Sequence, residues 1–346
     1  MKFSLFTHLP WPEDNSPGTL YEETAQEIIR GEELGFYSAW LAEHHFPRYG
    51  LGSAPLVIAS NILARTKKIR LGTAVLVPPL HHPVRLAEET AALDILSNGR
   101  LDVGFGRGTA GAEFRGYNID HEESQERFQE GIRIVQGLWT TPEFSYQGKY
   151  FQMDQANLVP PPVQKPHPPV YIAASRTPMT LQFAVSTGHP IIVGNVQDTV
   201  EALDLCHRFA EMSKASGHNV PISDIPFFRY FHVAETEVQA RKNAEAHLNW
   251  VQDILQWRRT FTQGTEVYKH LEDWRRTRTE LPPTYDYLVA NRAIVGSPEQ
   301  CVAKIREIQA SGIEYFGCNF SFGGMKHSTV LRSMELFAQE VMPHFT

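Results

Sequence analysis

Residues 2–18 read KFSLFTHLPWPEDNSPG, and this stretch separates two α/β architectures. KFSLFTH has the composition of a first strand. In an open doubly wound sheet the turn after that strand carries the glycine fingerprint of a dinucleotide site, but here it holds HLPWPEDNSPG. Working outward, similar β-branched or aromatic runs recur at 37–43, 69–77, 101–106, 169–175, 190–195, 225–234 and 314–322. Helical periodicity fills the spaces between them, as in 124–139, where Phe128, Ile132, Val135 and Leu138 share one stripe. Eight strands each followed by a helix predict a (β/α)8 TIM barrel, which needs roughly 250 residues. The 346 residues therefore read as a single barrel domain, 1–346, with about a hundred residues of insertions. One insertion near 143–168 has period-2 aromatic stretches around Gln147 and Gly148, then a proline cluster, and predicts a hairpin with a stiff connector. A second, near 262–292, is charged and irregular and predicts a lid. The segment SPEQCVAKIREIQASG predicts a helix with a capping box at Ser297 and Gln300 and a left-handed closing residue at Gly312.

Composition excludes several functions. No apolar run approaches the ~20 residues that span a bilayer, and the N-terminus has no cleavable-leader pattern, so a cytoplasmic, non-membrane protein is expected. A net charge of −7 gives no long-range attraction to nucleic acid. Cys206, Cys301 and Cys318 are odd in number and widely spaced, which predicts reduced, buried thiols rather than disulfides or a thiolate metal site.

Chemistry in such a barrel sits where strands end. The polar residues there are His44 and His45 after strand 2, the HHPVR segment (81–85) after strand 3, Arg107, Gly108 and Thr109 after strand 4, Ser175, Arg176 and Thr177 after strand 5, and Asn195 after strand 6. GFGRGTAG (104–111) allows close backbone approach beside an arginine fork suited to phosphate oxygens. ASRTPMT places Ser175, Arg176 and Thr177 ahead of a helix N-terminus, where free N–H groups favour an anion. The two segments on neighbouring strands predict one phosphate held between them. Adjacent residues of an extended strand point to opposite sides, so His44 and His45 cannot readily share a metal ion. One of the pair is expected to pack structurally, and the other to face the pocket as an acid/base group.

With these residues collected, the chain resembles the bacterial luciferase-like FMN-dependent monooxygenases, in particular the luciferase α subunit. WLAEHHF with the following YGL, TKKIRLGTAVLV with HPVR, the Gly99–Gly108 region, PPVYIAAS, VGSPEQC, ASGI and MELFAQEVMP carry the likeness over nearly the whole chain. The resemblance implies reduced FMN supplied by a separate flavin reductase, O2 as co-substrate, oxygen transfer through a C4a-peroxyflavin, and a small apolar or aldehyde substrate. It implies His44 as the catalytic histidine, Arg107 and the Ser175 segment as phosphate ligands, and Ala74 and Val75 as the dipeptide beneath the flavin ring, often joined by a non-prolyl cis bond. His45 and His82 match family histidines in the pocket region, and pairing as a homodimer or with a second barrel subunit is implied too. Gly106 and Ala174 stand where the luciferase α subunit has cysteine and glutamate, and Arg176 is an added charge, so the resemblance implies flavin binding but neither light emission nor luciferase's own substrate preference. The alternatives are a deazaflavin-dependent oxidoreductase of related barrel type, a metal-dependent barrel hydrolase, and a flavin-binding subunit without catalysis.

Overall fold

The structure, a computed structural model, describes residues 1–12, 15–46, 48–175, 177–260 and 283–345. Strands β1 (Lys2–Thr7), β2 (Ser38–Leu41), β3 (Arg70–Thr73) and β4 (Leu101–Phe105) alternate with helices α1 (Pro17–Glu33), α2 (Pro55–Arg65) and α3 (Pro83–Leu96). After β4 come α4 (Gly111–Gly116), α5 (Ser124–Thr140) and an antiparallel hairpin, β5 (Phe144–Gln147) with β6 (Gln152–Ala156). The pattern resumes with β7 (Val170–Ala173), α6 (Pro178–Thr187), β8 (Ile191–Ile192), α7 (Thr199–Ala215), β9 (Phe227–Val233) and α8 (Glu237–Thr260). It finishes with α9 (Tyr285–Asn291), β10 (Ala293–Gly296), α10 (Pro298–Ala310), β11 (Tyr315–Asn319) and α11 (His327–Glu340).

Apart from the hairpin, the strands form one curled parallel sheet in the order β10-β9-β11-β1-β2-β3-β4-β7-β8. One further parallel bridge joins Val193, just past β8, to Phe227 at the start of β9. Alternate residues of each strand face opposite ways. Phe3 and Leu5 therefore join the main core between sheet and helices, while Phe6 packs with Trp40, Ile192, Phe228 and Tyr315 on the other side. The inner side is crowded enough to dictate glycine. A Cβ on Gly72 would come within 2.2 Å of the Trp40 ring, and one on Gly317 within 1.9 Å of Phe228.

The hairpin and proline connector form as expected, the latter with cis bonds at Val159–Pro160 and Lys165–Pro166. The capping box at Ser297 and Gln300 is present, Gly312 has φ +93°, and all three cysteines are free and buried. No helix among the described residues is long and apolar enough to cross a membrane.

Two expectations need correction. The sheet contains a ninth strand, β10, whose four residues AIVG follow directly on the charged segment and are too short to stand out from it. The described end of the expected lid, 283–292, carries α9, capped by Thr284 accepting from the Tyr287 N–H and packed near α8 and β10. That part belongs to the fold; 261–282, with the basic run Trp274, Arg275, Arg276 and Arg278, lies outside the described residues.

Candidate active site

The strand ends surround a cavity of about 230 Å³. His44, Ala74, Val75, Arg107, Gly108, Thr109, Ser175, Thr177 and Asn195 all border it, so five strand-end segments meet at one place. Arg176 lies outside the described residues.

The two histidines diverge. His44 lines the cavity with its Nδ1 3.5 Å from Glu113 Oε1, its ring stacked on His8 at 5.8 Å and edge-on to Tyr49 at 4.7 Å. His45 turns the other way and is buried. Its Nε2 lies 2.9 Å from Glu43 Oε1, its Nδ1 3.1 Å from the Tyr117 hydroxyl, and its backbone N–H donates to Glu113. A carboxylate only accepts, so the arrangement calls for Nε2–H on His45 with Tyr117 donating to Nδ1.

Glu43 is the hub of this second cluster. Its Oε1 also accepts from His81 Nε2 at 2.9 Å, its Oε2 accepts the Val77 N–H at 3.1 Å, and its own N–H donates to Val75 O at 3.2 Å. Burial acts to raise the Glu43 pKa, but the hydrogen bonds from His45 and His81 outweigh it and hold the carboxyl below its ordinary value. Burial acts to lower the His81 pKa, and Glu43 outweighs that in turn, so His81 titrates above its ordinary value. Glu43 thus ties the end of β2 to residues 75–77, which include one side of the cis Ala74–Val75 peptide. His81, not His82, makes this contact. His82 is exposed at the N-terminus of α3, edge-on to Phe151 of the hairpin, because the turn at Pro78–Leu80 directs only the first of the two histidines inward.

On the far side of the cavity Arg107 Nη2 donates to Thr177 Oγ1 at 3.5 Å, bringing the two anion segments together. Gly108 has φ +79°, and a Cβ there would press on Val77 and Phe114, so the chain turns close around the arginine. Thr177 precedes α6 without capping it through its side chain. Nearby Thr180 donates to Gln125 Oε1, leaving Gln125 Nε2 buried without a partner, and Asn195 Nδ2 is likewise buried and unpaired at the cavity. Unpaired donors, a guanidinium and a helix N-terminus beside the apolar Ala74–Val75 shelf fit a planar group with an anionic tail. Val75 itself fits only because Gly106 lacks a side chain: a Cβ there would lie 2.4 Å from Val75 Cγ2.

Sequence reasoning passed over His8, Tyr49, Glu113, Gln125 and Thr180. His8 ends the first strand run and satisfied the strand-end rule; the others lie in loops or helices whose direction no periodicity reveals.

A curled parallel α/β sheet whose strand ends bring an arginine, a helix N-terminus and a histidine to one cavity is the architecture of an α/β enzyme. The profile of the luciferase-like monooxygenases matches residues 1–315, and the chain belongs to that family. It is 27% identical to the oxygenase component of flavin-dependent trigonelline monooxygenase from Acinetobacter baylyi, over 100% of this chain and 96% of that protein. It is also 27% identical to an alkanal monooxygenase alpha chain from Photorhabdus luminescens, over 99% and 97% of the two chains. Among solved structures, the monooxygenase RslO1 from Streptomyces bottropensis superposes with a TM-score of 0.83 at 27% identity, covering all of both chains. The oxygenating constituent of 3,6-diketocamphane monooxygenase from Pseudomonas putida, solved with FMN, gives the same TM-score of 0.83 at 18% identity, covering 100% and 99% of the two chains, a likeness of fold.

Proposed function

We propose that this protein is the oxygenase of a two-component flavin monooxygenase, taking reduced FMN from a separate reductase and using O2 to oxygenate a small organic substrate. The observation that carries the reading is the single cavity bordered by His44 on one side, the Ala74–Val75 shelf beneath, and the Arg107–Thr177 pair on the other. The naming of the trigonelline relative as an oxygenase component supports the separate reductase. In this reading eight of the nine strands close into a barrel through the Val193–Phe227 bridge, with β10 paired to β9 outside the ring, 1–346 form one domain, and the working assembly is a cytoplasmic homodimer.

Arg107, Gly108, Thr109, Ser175 and Thr177 would hold the phosphate, with Arg176 adding charge, and Asn195 would supply a donor left unpaired by the protein. Ala74 and Val75 would support the ring. Reduced FMN, when bound, supplies the two electrons that send one atom of O2 to the substrate and the other to water. His44 moves a proton at Nε2, while Glu113 near Nδ1 orients the ring. Phe6, Ile192 and Phe228 wall the cavity with apolar surface and exclude water from the reacting atoms. His45 keeps the β2 end in place rather than touching the reactants.

Stopped-flow mixing of the protein–reduced FMN complex with oxygenated buffer tests the reading. A transient near-ultraviolet absorbance distinct from oxidised FMN, and slower flavin reoxidation than free in solution, are expected. Reoxidation at the free rate, or turnover only with reduced deazaflavin, refutes it.

A further inference from the structure

A second, small cavity with polar lining shares the His8 and Tyr49 walls of the main one. Tyr230 on β9 and Asn319 on β11 are register partners on adjacent strands, each only 1% exposed. Asn319 Nδ2 lies 3.4 Å from His8 Nδ1, which leaves Asn319 Oδ1 pointing elsewhere. Neither Asn319 Oδ1 nor Tyr230 Oη has a hydrogen-bond partner. Both residues line a small cavity of about 10 Å³ whose wall also includes His8, Tyr49 and Trp250. His8 and Tyr49 border the main cavity as well, so two aromatic rings stand between the compartments.

Two buried, unpaired polar atoms on one cavity each impose a desolvation cost unless a ligand completes them. Their chemistry is complementary to one group. Asn319 Oδ1 needs a donor, Tyr230 Oη can donate, and a hydroxyl does both with a single oxygen atom. The volume agrees, since one water-sized oxygen needs ~10–15 Å³. The approach is lined by flat rings, with Phe6 stacked on Phe228 at 4.6 Å, His8 edge-on to Phe6 at 4.5 Å, and Tyr49 tilted against His8 at 4.9 Å. Such walls favour a planar ligand over an alkyl chain.

We propose that Tyr230 and Asn319 form a hydroxyl-binding subsite and that the substrate is a phenol or a similarly hydroxylated aromatic molecule. This deepens the monooxygenase reading and rests on it for the word substrate. A plain aliphatic aldehyde leaves both polar atoms unpaired, whereas a phenolic hydroxyl donates to Asn319 Oδ1 and accepts from Tyr230.

Calorimetric titration of the full-length chain with p-cresol and with toluene, with and without bound FMN, tests the subsite. The two probes differ only in the hydroxyl. The expected result is at least about tenfold tighter binding of p-cresol, from the hydrogen bonds that toluene cannot make. Tyr230→Phe should bring that ratio down to within a factor of two or three while leaving toluene affinity and FMN affinity unchanged. Asn319→Asp, which turns the acceptor anionic and removes the donor to His8, provides a second variant and should also alter the ratio. Equal binding of the two probes, no binding of either, or a ratio that survives Tyr230→Phe overturns the proposal; an annex that merely encloses a water molecule gives the first result. Failure to bind FMN at all counts against the monooxygenase reading instead, and the FMN-free titration still decides the subsite.

Discussion

Replacing Glu43 by alanine should be among the most costly single changes at the site. The substitution removes the acceptor for three donors at once: His45 Nε2, His81 Nε2 and the Val77 N–H. His81 is partly exposed and can turn to water, but His45 and Val77 are buried and cannot. Two buried donors at about 1–3 kcal/mol each, with the void left by the side chain, give a loss of about 3–5 kcal/mol, the range for breaking a buried charged pair. Urea unfolding followed by tryptophan fluorescence reads it directly. Glu43→Gln keeps the shape and one acceptor and should lose about 2 kcal/mol.

The pH dependence separates charge from packing. Glu43 has a lowered folded pKa, so its contribution is present above its ordinary value of 4.5 and is lost as pH falls through the folded value. His81 has a raised folded pKa, so its contribution is complete below its ordinary value of 6.5 and is lost as pH rises through the folded value. The pair therefore stabilises most between those two ordinary values, and Glu43→Gln should flatten that maximum. A loss below about 1 kcal/mol for the alanine variant, or an unchanged pH profile for the glutamine variant, would show that Glu43 is not the hub.

Other outcomes follow from the same geometry. Arg107→Ala should weaken FMN binding by about ten- to a hundredfold, the worth of a charged hydrogen bond, with unfolding midpoints unchanged; equilibrium fluorescence titration checks this. His44→Ala should lower oxygen transfer by about 10²–10⁴-fold while FMN affinity stays within a few-fold, and intact turnover would remove the proton-transfer role. Gly317→Ala places a methyl 1.9 Å from Phe228 and should destabilise by about 1–3 kcal/mol in urea unfolding, as overpacking does.

Much of the fold was legible because burial leaves a period in the sequence. Strand runs such as 101–106 and the helix opening at Ser297 announce themselves by alternation and by capping residues. β10 was not legible, since AIVG is only four residues long and sits against a charged segment. At the site, the convergence of Arg107 with Thr177 followed from adjacent strands carrying matching anion chemistry. The divergence of His44 from His45 followed from strand geometry, but which of the two turns inward did not. That choice depends on Glu43, Glu113 and Tyr117, residues brought together from the segment after β2, from α4 and from the turn after α4. The neighbouring pair His81 and His82 shows the same limit, because a three-residue turn decided which ring reached the carboxylate.

The bridge between Val193 and Phe227 has a mechanical consequence. Neighbouring strands such as β1 and β2 are laced over four register positions, whereas β8 and β9 meet through the Val193 N–H to Pro226 O and the Phe228 N–H to Val193 O. This sparse seam runs beside Gly194, Asn195 and Phe228, on the wall of the cavity itself. A ligand that engages Asn195 on one side and packs on Phe228 on the other would act as a stitch across it. Amide exchange at Val193 and Phe228 should then slow on ligand binding more than exchange within β1 or β2, making the seam a built-in reporter of occupancy.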